Sequence, residues 1–480
     1  MTAPLWKTGA MAAAMKAERA GALPDGVTGI SIDSRSLKPD EAFFAIKGDT
    51  HDGHAFVGKA LAAGAGLAVV AQAQRAAMPA DAPLLVVPDV LAGLVDLAGA
   101  ARARSRGRIV AVTGSVGKTS TKEALRLALG RNGETHASAA SFNNHWGVPL
   151  SLARMPEAAS YGIFEIGMNH AGEITPLTKL VRPHVAIITT IAPVHLEFFS
   201  GVEAIADAKA EIFLGVEPGG AAVLNRDNAQ FARLAAHAAD AGVARIVSFG
   251  EHMEADARLL KLVLQSEGSA IEADILGHRV AYKLGAPGRH HALNSLAVLA
   301  AASLAGADLA LAALALAEFA PAKGRGTRIA LELPAGEALL IDESYNANPT
   351  SMRAALALLG QAPVEPPGRR IAVLGDMLEL GPAAADLHAG LAEAVTGNAI
   401  DLVFCAGPLM EALWLALPPE RRGGYAKDAA ALEPMVIAAV RGGDAVMIKG
   451  SAGSKMAPIV TSLATRYGRD AERHEARAEG

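Results

Sequence analysis

The sequence contains a single cysteine, Cys405, in 480 residues. One cysteine excludes an internal disulfide and a zinc site built from several cysteines. Chains with so little cysteine are at home in a reducing compartment, where disulfides are rare. We therefore expect a cytoplasmic protein that is held together by packed cores rather than by covalent links.

Aromatic residues and long apolar runs are also scarce. Aromatic residues make up 4% of the chain and hydrophobic residues 51%, so the cores must consist mainly of Ala, Leu and Val. The most lipid-like stretch, residues 292–320, is interrupted by Asp308. It therefore lacks a charge-free run of the roughly 18 residues that a membrane helix needs. We expect no transmembrane segment, and we predict a pair of buried, Ala-rich helices there.

An excess of positive charge is missing as well. The chain has 44 basic and 49 acidic residues, a formal net charge of −5. Proteins that bind nucleic acid through its phosphates usually carry a basic excess. We therefore expect no nucleic-acid partner.

The length and the residue pattern predict several α/β domains. A length of 480 residues, at about 150 per domain, suggests about three domains. β-Branched runs alternate with Ala/Leu-rich stretches, which is typical of α/β domains with largely parallel sheets. Changes in composition near 101–108 and 321–326 divide the chain into 1–104, 105–322 and 323–480. The charged segment 468–480 is predicted to be a frayed tail.

The pattern also predicts individual elements. The predicted strands are 108–113, 163–166, 185–190, 221–224, 245–249, 339–341, 371–374, 402–405 and 445–448. The predicted helices are 119–129, 350–359, 384–395, 429–440 and 455–465.

The strongest chemical motif is AVTGSVGKTSTKEAL, which begins at Ala111. A glycine turn between a buried strand and a helix lets backbone N–H groups approach a polyphosphate. Lys118 adds a positive charge, and Thr119 adds a hydroxyl suited to Mg²⁺. Val112 stands where the longer GxxxxGK[ST] motif has glycine, so the match is to the shorter form TGSxGKT. The motif favours ATP over GTP because the chain has no NKxD-type guanine motif.

Further motifs follow in a fixed order along the chain. They are SFNNHWGVPL (141–150), FEIGMNHAGEI (164–174), IAPVHLEFF (191–199), DAKAEIF (207–213), GRHHALN (288–294), DESYNANPTSM (342–352), LGDMLELG (374–381) and KGSAGSKM (449–456). With TGSVGKT, this set resembles the Mur ligase family, ATP-dependent enzymes that form peptide bonds in peptidoglycan precursors. The YNANP and GDMLELG motifs are similar to those of the branch that adds D-alanyl-D-alanine to UDP-N-acetylmuramoyl-tripeptide.

The resemblance implies a fold, two substrates and two cofactors. The fold would combine a central P-loop-type parallel sheet, a Rossmann-like C-terminal domain and a smaller α/β N-terminal domain. The substrates would be UDP-N-acetylmuramoyl-tripeptide and D-alanyl-D-alanine, the cofactors ATP and Mg²⁺, and the default state a monomer. The ATP γ-phosphoryl group would activate a carboxylate as an acyl phosphate, which the incoming amine then attacks.

The resemblance also implies roles for individual residues. The catalytic set would be Lys118, Glu165, His195 and Lys209, and the metal ligands Thr119, Glu165, His195 and a carbamylated Lys209. The nucleotide contacts would be Thr113, Gly114, Ser115, Val116, Gly117, Lys118, Thr119, Asn294, Arg325, Asp342, Asn346 and Pro349. The substrate contacts would be Ser34, Arg35, Gly48, Asp52, Gly53, His54, Asn143, Asn144, Asp376, Glu379, Lys449 and Ser451.

Each assignment has a plainer alternative. Glu165, His195 and Lys209 also fit a strand-end carboxylate, a core histidine and a solvated helix lysine. The asparagine pair at 143–144 and the N-terminal set also fit ordinary turns. Asp342 also fits an acid near a helix N-terminus, and the acids at 376 and 379 either hold the amine or fix a loop.

The sequence departs from the family pattern at two motif positions. His291 stands where the family has asparagine, and Ala452 stands where arginine is common, so basic contacts there would move to Lys455. Two other functions stay open. One is a sister enzyme, either another Mur ligase or a folylpolyglutamate synthetase. The other is a P-loop ATPase switch without a ligation product.

Overall fold

A computed structural model describes residues 4–48, 51–138, 141–364 and 366–468. Its architecture is α/β with three main sheets, which confirms the expected fold class. No helix in the described ranges is long and apolar enough to cross a membrane. Apart from Gly468, the predicted frayed tail lies outside the described residues.

The N-terminal unit contains a five-stranded sheet and a short strand pair. Its strands are β1 (Trp6–Lys7), β2 (Glu18–Ala20), β3 (Gly26–Val27), β4 (Gly29–Ser31), β5 (Glu41–Phe44), β6 (Leu67–Ala71) and β7 (Leu84–Val87). Its helices are α1 (Thr8–Met15), α2 (Val57–Ala62) and α3 (Val90–Arg104). The main sheet has the order β2-β7-β6-β5-β4 and is parallel except for β2, while β1 pairs with β3.

The central unit contains a nine-stranded sheet. Its strands are β8 (Arg108–Thr113), β9 (Thr135–Ala137), β10 (Tyr161–Glu165), β11 (Val185–Ile188), β12 (Ala221–Asn225), β13 (Arg245–Gly250), β14 (Ala257–Gln265), β15 (Gly268–Ile275) and β16 (His278–Leu284). Its helices are α4 (Lys118–Gly130), α5 (Gly147–Ala153), α6 (Ile174–Val181), α7 (Val202–Ala210), α8 (Phe231–Asp240), α9 (Arg289–Leu304) and α10 (Leu309–Ala315). The order is β16-β15-β14-β13-β12-β11-β8-β10-β9, with antiparallel pairing only among β14, β15 and β16.

The C-terminal unit contains a six-stranded sheet. Its strands are β17 (Thr327–Leu333), β18 (Gly336–Glu343), β19 (Arg370–Gly375), β20 (Leu402–Ala406), β21 (Arg422–Ala426) and β22 (Ala445–Lys449). Its helices are α11 (Pro349–Gly360), α12 (Ala384–Ala389), α13 (Leu391–Gly397), α14 (Met410–Ala416), α15 (Ala429–Ala439) and α16 (Ala457–Tyr467). The order is β17-β18-β22-β19-β20-β21, parallel except for the β17–β18 hairpin.

All nine predicted strands are present, and the Ala-rich stretch forms the helices α9 and α10. Two helix predictions were wrong in detail. The helix predicted at 384–395 is two helices separated at Gly390, and the one predicted from 455 begins at Ala457. Lys455 has a φ of 54°, a left-handed conformation that cannot be part of an α-helix. The antiparallel strands β14–β16 were missed because most of β14 is half-buried or exposed, unlike a core strand.

Apolar packing joins the first two units. One continuous cluster contains Leu94 and Leu97 of α3 together with Val148 and Leu152 of α5 and Ile188 of β11. The opposite face of the central sheet packs on α4, α9 and α10. The two clusters of the C-terminal sheet draw only on residues from 329 onward among those described. The C-terminal unit therefore has a core of its own.

Candidate functional site

The turn between β8 and α4 is built around two glycines. Gly114 has a φ of 142°, and a Cβ there would lie 2.0 Å from Thr189 Oγ1. Gly117 has a φ of 89°, and a Cβ there would lie 2.6 Å from Nδ2 of Asn294. Only glycine fits both positions. The turn leads into the first residue of α4, where backbone N–H groups lack helical partners and attract anions.

Lys118 lies at the start of α4, and its Nζ donates to Gly114 O at 2.7 Å. Burial lowers the pKa of Lys118, Glu165 opposes this shift, and Arg325 adds to it. A buried ammonium group without a paired anion is stabilised when a negatively charged ligand enters. The site is therefore suited to bind phosphate.

Oxygen-bearing side chains surround Thr119. Thr119 Oγ1 donates to Glu165 Oε2 at 2.9 Å and lies 3.3 Å from Ser141 Oγ. Asn143 Nδ2 donates to the other carboxylate oxygen, Oε1 of Glu165, at 2.7 Å. These residues meet because β8 and β10 are adjacent parallel strands whose carboxyl ends share one edge of the sheet. The Thr119 hydroxyl and the Glu165 carboxylate are the hard oxygen donors that Mg²⁺ prefers.

The chemistry of this donor set fits Mg²⁺ rather than a transition metal. Among the residues that the structure describes, no group of three or more His, Cys, Asp or Glu side chains is arranged to hold a metal ion. Mg²⁺ needs fewer protein ligands, because it keeps several waters and binds substrate phosphates. Thr119 and Glu165 are both buried beside the phosphate turn, where such a shared ion would lie.

His195 and Lys209 follow β11. His195 lies in the loop after this strand and lines the same cavity, and its Nδ1 lies 2.5 Å from Glu379 Oε2. Burial lowers the pKa of His195, and the Glu379 carboxylate opposes this shift. Lys209, on α7, is 1% exposed, and burial, with Lys118 nearby, holds its pKa well below the ordinary value. Because Lys209 is buried, the alternative assignment to a solvated helix lysine was wrong.

The C-terminal unit completes the cavity, which has a volume of about 440 Å³. Arg325, Asn346 and Lys449 line it. The Arg325 guanidinium group lies 4.0 Å from the centre of the Tyr345 ring, and its Nη2 lies 3.4 Å from Ser141 Oγ across the junction. Lys449 Nζ donates to Asn346 O at 3.0 Å. Cationic groups from two units therefore surround one space.

Four of the predicted nucleotide contacts do not line the cavity: Thr113, Gly114, Asp342 and Pro349. Asp342 is buried, and its carboxylate accepts hydrogen bonds from Gly324 N at 3.1 Å and Ser344 Oγ at 2.6 Å. It therefore fixes the turn that carries Arg325. Pro349 is buried as the first residue of α11, a position that suits proline because the missing N–H has no helical partner there.

A second cavity of about 500 Å³ lies at the carboxyl edge of the C-terminal sheet, lined by Asp376, Lys427 and Lys455 among others. Asp376 Oδ1 accepts from Met410 N at 2.8 Å, and burial raises the pKa of Asp376. Ser451 accepts from Leu378 N at 3.0 Å through its Oγ. Residues of the GDMLELG and KGSAGSKM motifs thus lie side by side.

The predicted N-terminal contacts form a separate group. Arg35 pairs with Asp33, with Nη2 and Oδ2 2.7 Å apart, and is exposed. His54 is buried, with Nδ1 2.6 Å from Asp52 Oδ1 and Nε2 accepting from Ala71 N at 2.9 Å, so both ring nitrogens hold the loop together. A Cβ at Gly53 would lie 2.6 Å from Ile46 O.

The remaining predicted substrate contacts, at positions 34, 48, 143 and 144, lie in loops. Ser34 lies in the turn after β4, and Gly48 N donates to His51 O at 2.9 Å. Asn144 Oδ1 accepts from the backbone N of Gly147, the first residue of α5, at 2.9 Å. Asn143 instead lines the cavity between the phosphate turn and the C-terminal unit, which we call the main cavity. As a group, the N-terminal contacts remain predictions.

Sequence reasoning missed several residues that line the main cavity. They include Ser141, Thr190, Asn225, His290, Glu343 and Asn348. Four of them lie inside motifs that the sequence analysis quotes: Ser141, His290, Glu343 and Asn348. Their position within SFNNHWGVPL, GRHHALN or DESYNANPTSM was the available indication. Thr190 follows β11 and Asn225 is the last residue of β12, and only the strand order shows that they lie beside the phosphate turn.

Family models match most of the chain. They are the Mur ligase family, catalytic domain (residues 26–100), the Mur ligase middle domain (112–302) and the Mur ligase, glutamate ligase domain (324–452). UDP-N-acetylmuramoyl-tripeptide--D-alanyl-D-alanine ligase of Escherichia coli (strain K12) is 34% identical over 90% of this chain and 93% of its own.

Solved structures are similar over nearly the same length. MurF from Acinetobacter baumannii superposes with a TM-score of 0.82 and 29% identity, covering 95% of this chain and 98% of that one. MurF ligase from Thermotoga maritima, solved in complex with ADP, gives a TM-score of 0.74 and 25% identity, covering 91% and 96%.

Proposed function

The chain belongs to the Mur ligase family, and we propose that it is the ATP-dependent ligase that joins D-alanyl-D-alanine to UDP-N-acetylmuramoyl-tripeptide. One observation carries the proposal: the phosphate turn of the central unit and the DESYNANP motif of the C-terminal unit border a single cavity. A phosphoryl group on one side can therefore meet an amine delivered from the other. Relatives that are 31% to 34% identical over 90% or more of this chain carry this name.

The reaction has two steps. A carboxylate oxygen of the tripeptide attacks the γ-phosphorus of ATP, and ADP leaves with the electron pair of the broken P–O bond. The dipeptide amine then attacks the acyl carbon, phosphate leaves, and the amine nitrogen loses a proton. Positioning and charge neutralisation dominate such a phosphoryl transfer.

The cavity residues divide these tasks. Lys118 and Arg325 would bind phosphoryl oxygens from opposite sides, and Asn294, which lies against Gly117, would border the nucleotide. Thr119 and Glu165 would hold Mg²⁺, which when bound neutralises phosphoryl oxygens. The second cavity, with Asp376 at its wall and Lys427 and Lys455 at its rim, would receive the dipeptide.

The proposal includes Lys209 as a carbamylated metal ligand beside His195. Its support is the buried Lys209 amine, whose pKa is lowered by burial, because the neutral amine is the form that reacts with CO₂. The product, a carbamate, is an anionic oxygen ligand, and one proton is released. Lys209→Ala should lose activity and regain part of it with formate. Full activity of the variant without formate would exclude this role.

The proposal extends to organisation and location. We place the domain boundaries near 104 and 322 and the protein in the cytoplasm as a monomer without a nucleic-acid partner. The single buried cysteine and the need for ATP support this location. The substrate contacts of the N-terminal unit, Ser34 to His54, would bind the UDP moiety.

The direct test is amine-dependent turnover. Purified protein is mixed with ATP, Mg²⁺ and UDP-N-acetylmuramoyl-tripeptide in its diaminopimelate and lysine forms, with either D-alanyl-D-alanine or free amino acids. Phosphate release and the product mass are measured, with Lys118→Ala as the inactive variant and the exposed Lys179→Ala as its matched control. Product formation only with the dipeptide is expected. Turnover only with free amino acids would indicate a sister ligase, and hydrolysis independent of any amine would indicate an ATPase switch.

A further inference from the structure

Glu379 of the C-terminal unit contacts His195 of the central unit. Its Oε2 lies 2.5 Å from His195 Nδ1, and its backbone oxygen accepts from Glu197 N at 3.2 Å. His195 lines the main cavity, whereas Glu379 is not among the lining residues. Glu379 can therefore affect the cavity only through its contact with His195.

Both residues have a left-handed backbone, with a φ of 54° at His195 and 63° at Glu379. This conformation is uncommon for residues other than glycine. Lys16 and Arg182 also adopt it, but they end helices, where it is ordinary. His195 and Glu379 instead lie in loops that meet each other across the junction. Such outliers concentrate at sites where a side chain has to be held in place.

Stability does not account for the contact. The side chain of Glu379 is 45% exposed and that of His195 is 24% exposed. Ion pairs and hydrogen bonds that are open to solvent contribute little to folding. Both loops adopt a strained backbone to make a contact that adds little stability, which indicates a functional constraint.

We propose that Glu379 is a positioning residue that orients the His195 ring and couples this orientation to the seating of the C-terminal unit. An ionised carboxylate only accepts hydrogen bonds, so Nδ1 carries the proton and Nε2 keeps its lone pair. A carboxylate that holds one ring nitrogen of a metal-binding histidine fixes both its tautomer and its direction. The inference rests on the proposed ligase function. Its consequence for that function is that Nε2 would be oriented toward a metal ion only when the C-terminal unit is in place.

The first test reads the tautomer without any turnover. The protein is labelled with ¹⁵N-histidine, and the His195 resonances among the 14 histidines are assigned by their absence in His195→Gln. The Nδ1–H form is expected in the parent protein. Glu379→Ala should shift the ring toward the Nε2–H form, and Glu379→Gln, which keeps an accepting oxygen, should restore part of the Nδ1–H form. An unchanged His195 tautomer in Glu379→Ala would overturn the proposal.

The second test measures coupling in the ligase reaction. Glu379→Ala is expected to raise the Mg²⁺ concentration for half-maximal activity about 10- to 100-fold. In the His195→Ala background the same change should have little further effect, because its target is gone. The matched control is Glu420→Gln, an exposed carboxylate of the same unit.

Multiplicative losses in the double variant would show that Glu379 acts independently of His195 and would overturn the proposal. A parent protein without dipeptide-dependent turnover would contradict the proposed function instead. In that case the tautomer measurement would still decide whether Glu379 orients the His195 ring.

Discussion

The two junctions of the molecule are built differently. Where the N-terminal unit meets the central unit, Trp6 Nε1 donates to Ala153 O at 2.8 Å, and the Arg104 guanidinium group lies 3.5 Å from the Trp6 ring centre. Arg102 Nε donates to Val181 O at 2.8 Å, and this bond is buried. A continuous apolar cluster surrounds these bonds.

The junction with the C-terminal unit is polar and borders a cavity. Its cross-links are Arg325 to Ser141, at 3.4 Å, and Glu379 to the loop that carries His195, at 2.5 Å. Within the described residues, neither apolar cluster of the C-terminal sheet extends into the central unit. A polar interface without a shared apolar core favours relative motion of the two units, whereas a shared core opposes it.

The difference explains where chemistry takes place. A ligase has to admit two substrates and ATP, and then exclude water from the activated acyl group. The first two units share an apolar core and form one platform that carries the phosphate turn. We expect the third unit to close on this platform, so that the proposed site would lie at the junction that can open.

The largest effect is expected at Cys405, which is buried in the C-terminal sheet. Burial raises the pKa of its thiol to about 12, against about 8.5 for a free thiol, so the thiolate fraction at pH 8 falls about a thousandfold. Alkylation should therefore require unfolding of this unit. With Trp6 fluorescence as the reporter of the other junction, in a Trp146→Phe, Trp414→Phe background, we expect Cys405 to be labelled at the lower urea concentration.

Coincident transitions of the two reporters would show one cooperative unit and contradict the comparison.

The pH dependence of the free energy of unfolding that Cys405 causes has a definite sign. Because the folded pKa is raised, stability is independent of this thiol below pH about 8.5 and decreases as pH rises toward 12.

Leu97→Ala tests the apolar junction. Leu97 is 0% exposed in the shared cluster, so its truncation should lower the free energy of unfolding by about 2 to 5 kcal/mol. Leu378, 40% exposed beside the polar junction, is the matched control, and Leu378→Ala should cost less than about 1 kcal/mol. Urea unfolding followed by Trp6 fluorescence gives the value for Leu97→Ala, and Cys405 labelling as a function of urea gives the value for Leu378→Ala. Equal losses at the two positions would remove the distinction between the junctions.

Arg325→Ala tests the polar junction. Losing its contact with Ser141 and its charge beside the phosphate turn should lower kcat/KM for ATP about tenfold or more. The free energy of unfolding should change by less than about 0.5 kcal/mol. Arg466, which lies 5.4 Å from the Tyr467 ring centre and outside the residues that line the main cavity, is the matched control. A similar kinetic loss in Arg466→Ala would argue against a specific role for Arg325.

The parallel sheets and the phosphate turn could be predicted from the sequence because both have local signatures. β8 is a short apolar run, and Gly114 and Gly117 lie where a side chain would collide with Thr189 or Asn294. The half-exposed strands β14–β16 have no such signature, so only their pairing with β13 reveals them.

The contacts across the polar junction could not be predicted from spacing. His195 and Glu379 are separated by 184 residues, and nothing in either motif indicates that they meet. His54 shows the reverse problem. Its motif position suggested a ligand contact, but its two ring nitrogens already bond to Asp52 and Ala71 N. A motif identifies which residues matter, whereas only the fold shows what each one touches.

The smallest effect expected is the change in shape on closure. A compact chain of 480 residues has a radius of gyration of about 23 Å. A non-hydrolysable ATP analogue added together with the UDP-tripeptide should lower the measured value by about 1 Å, because ligands that contact both units favour the closed arrangement. Small-angle scattering measures this change, and Lys118→Ala is the control that should not compact. If the parent protein also keeps its radius at saturating ligand, the polar junction is as fixed as the apolar one, since a site lined by two units would then bind its ligands without moving either.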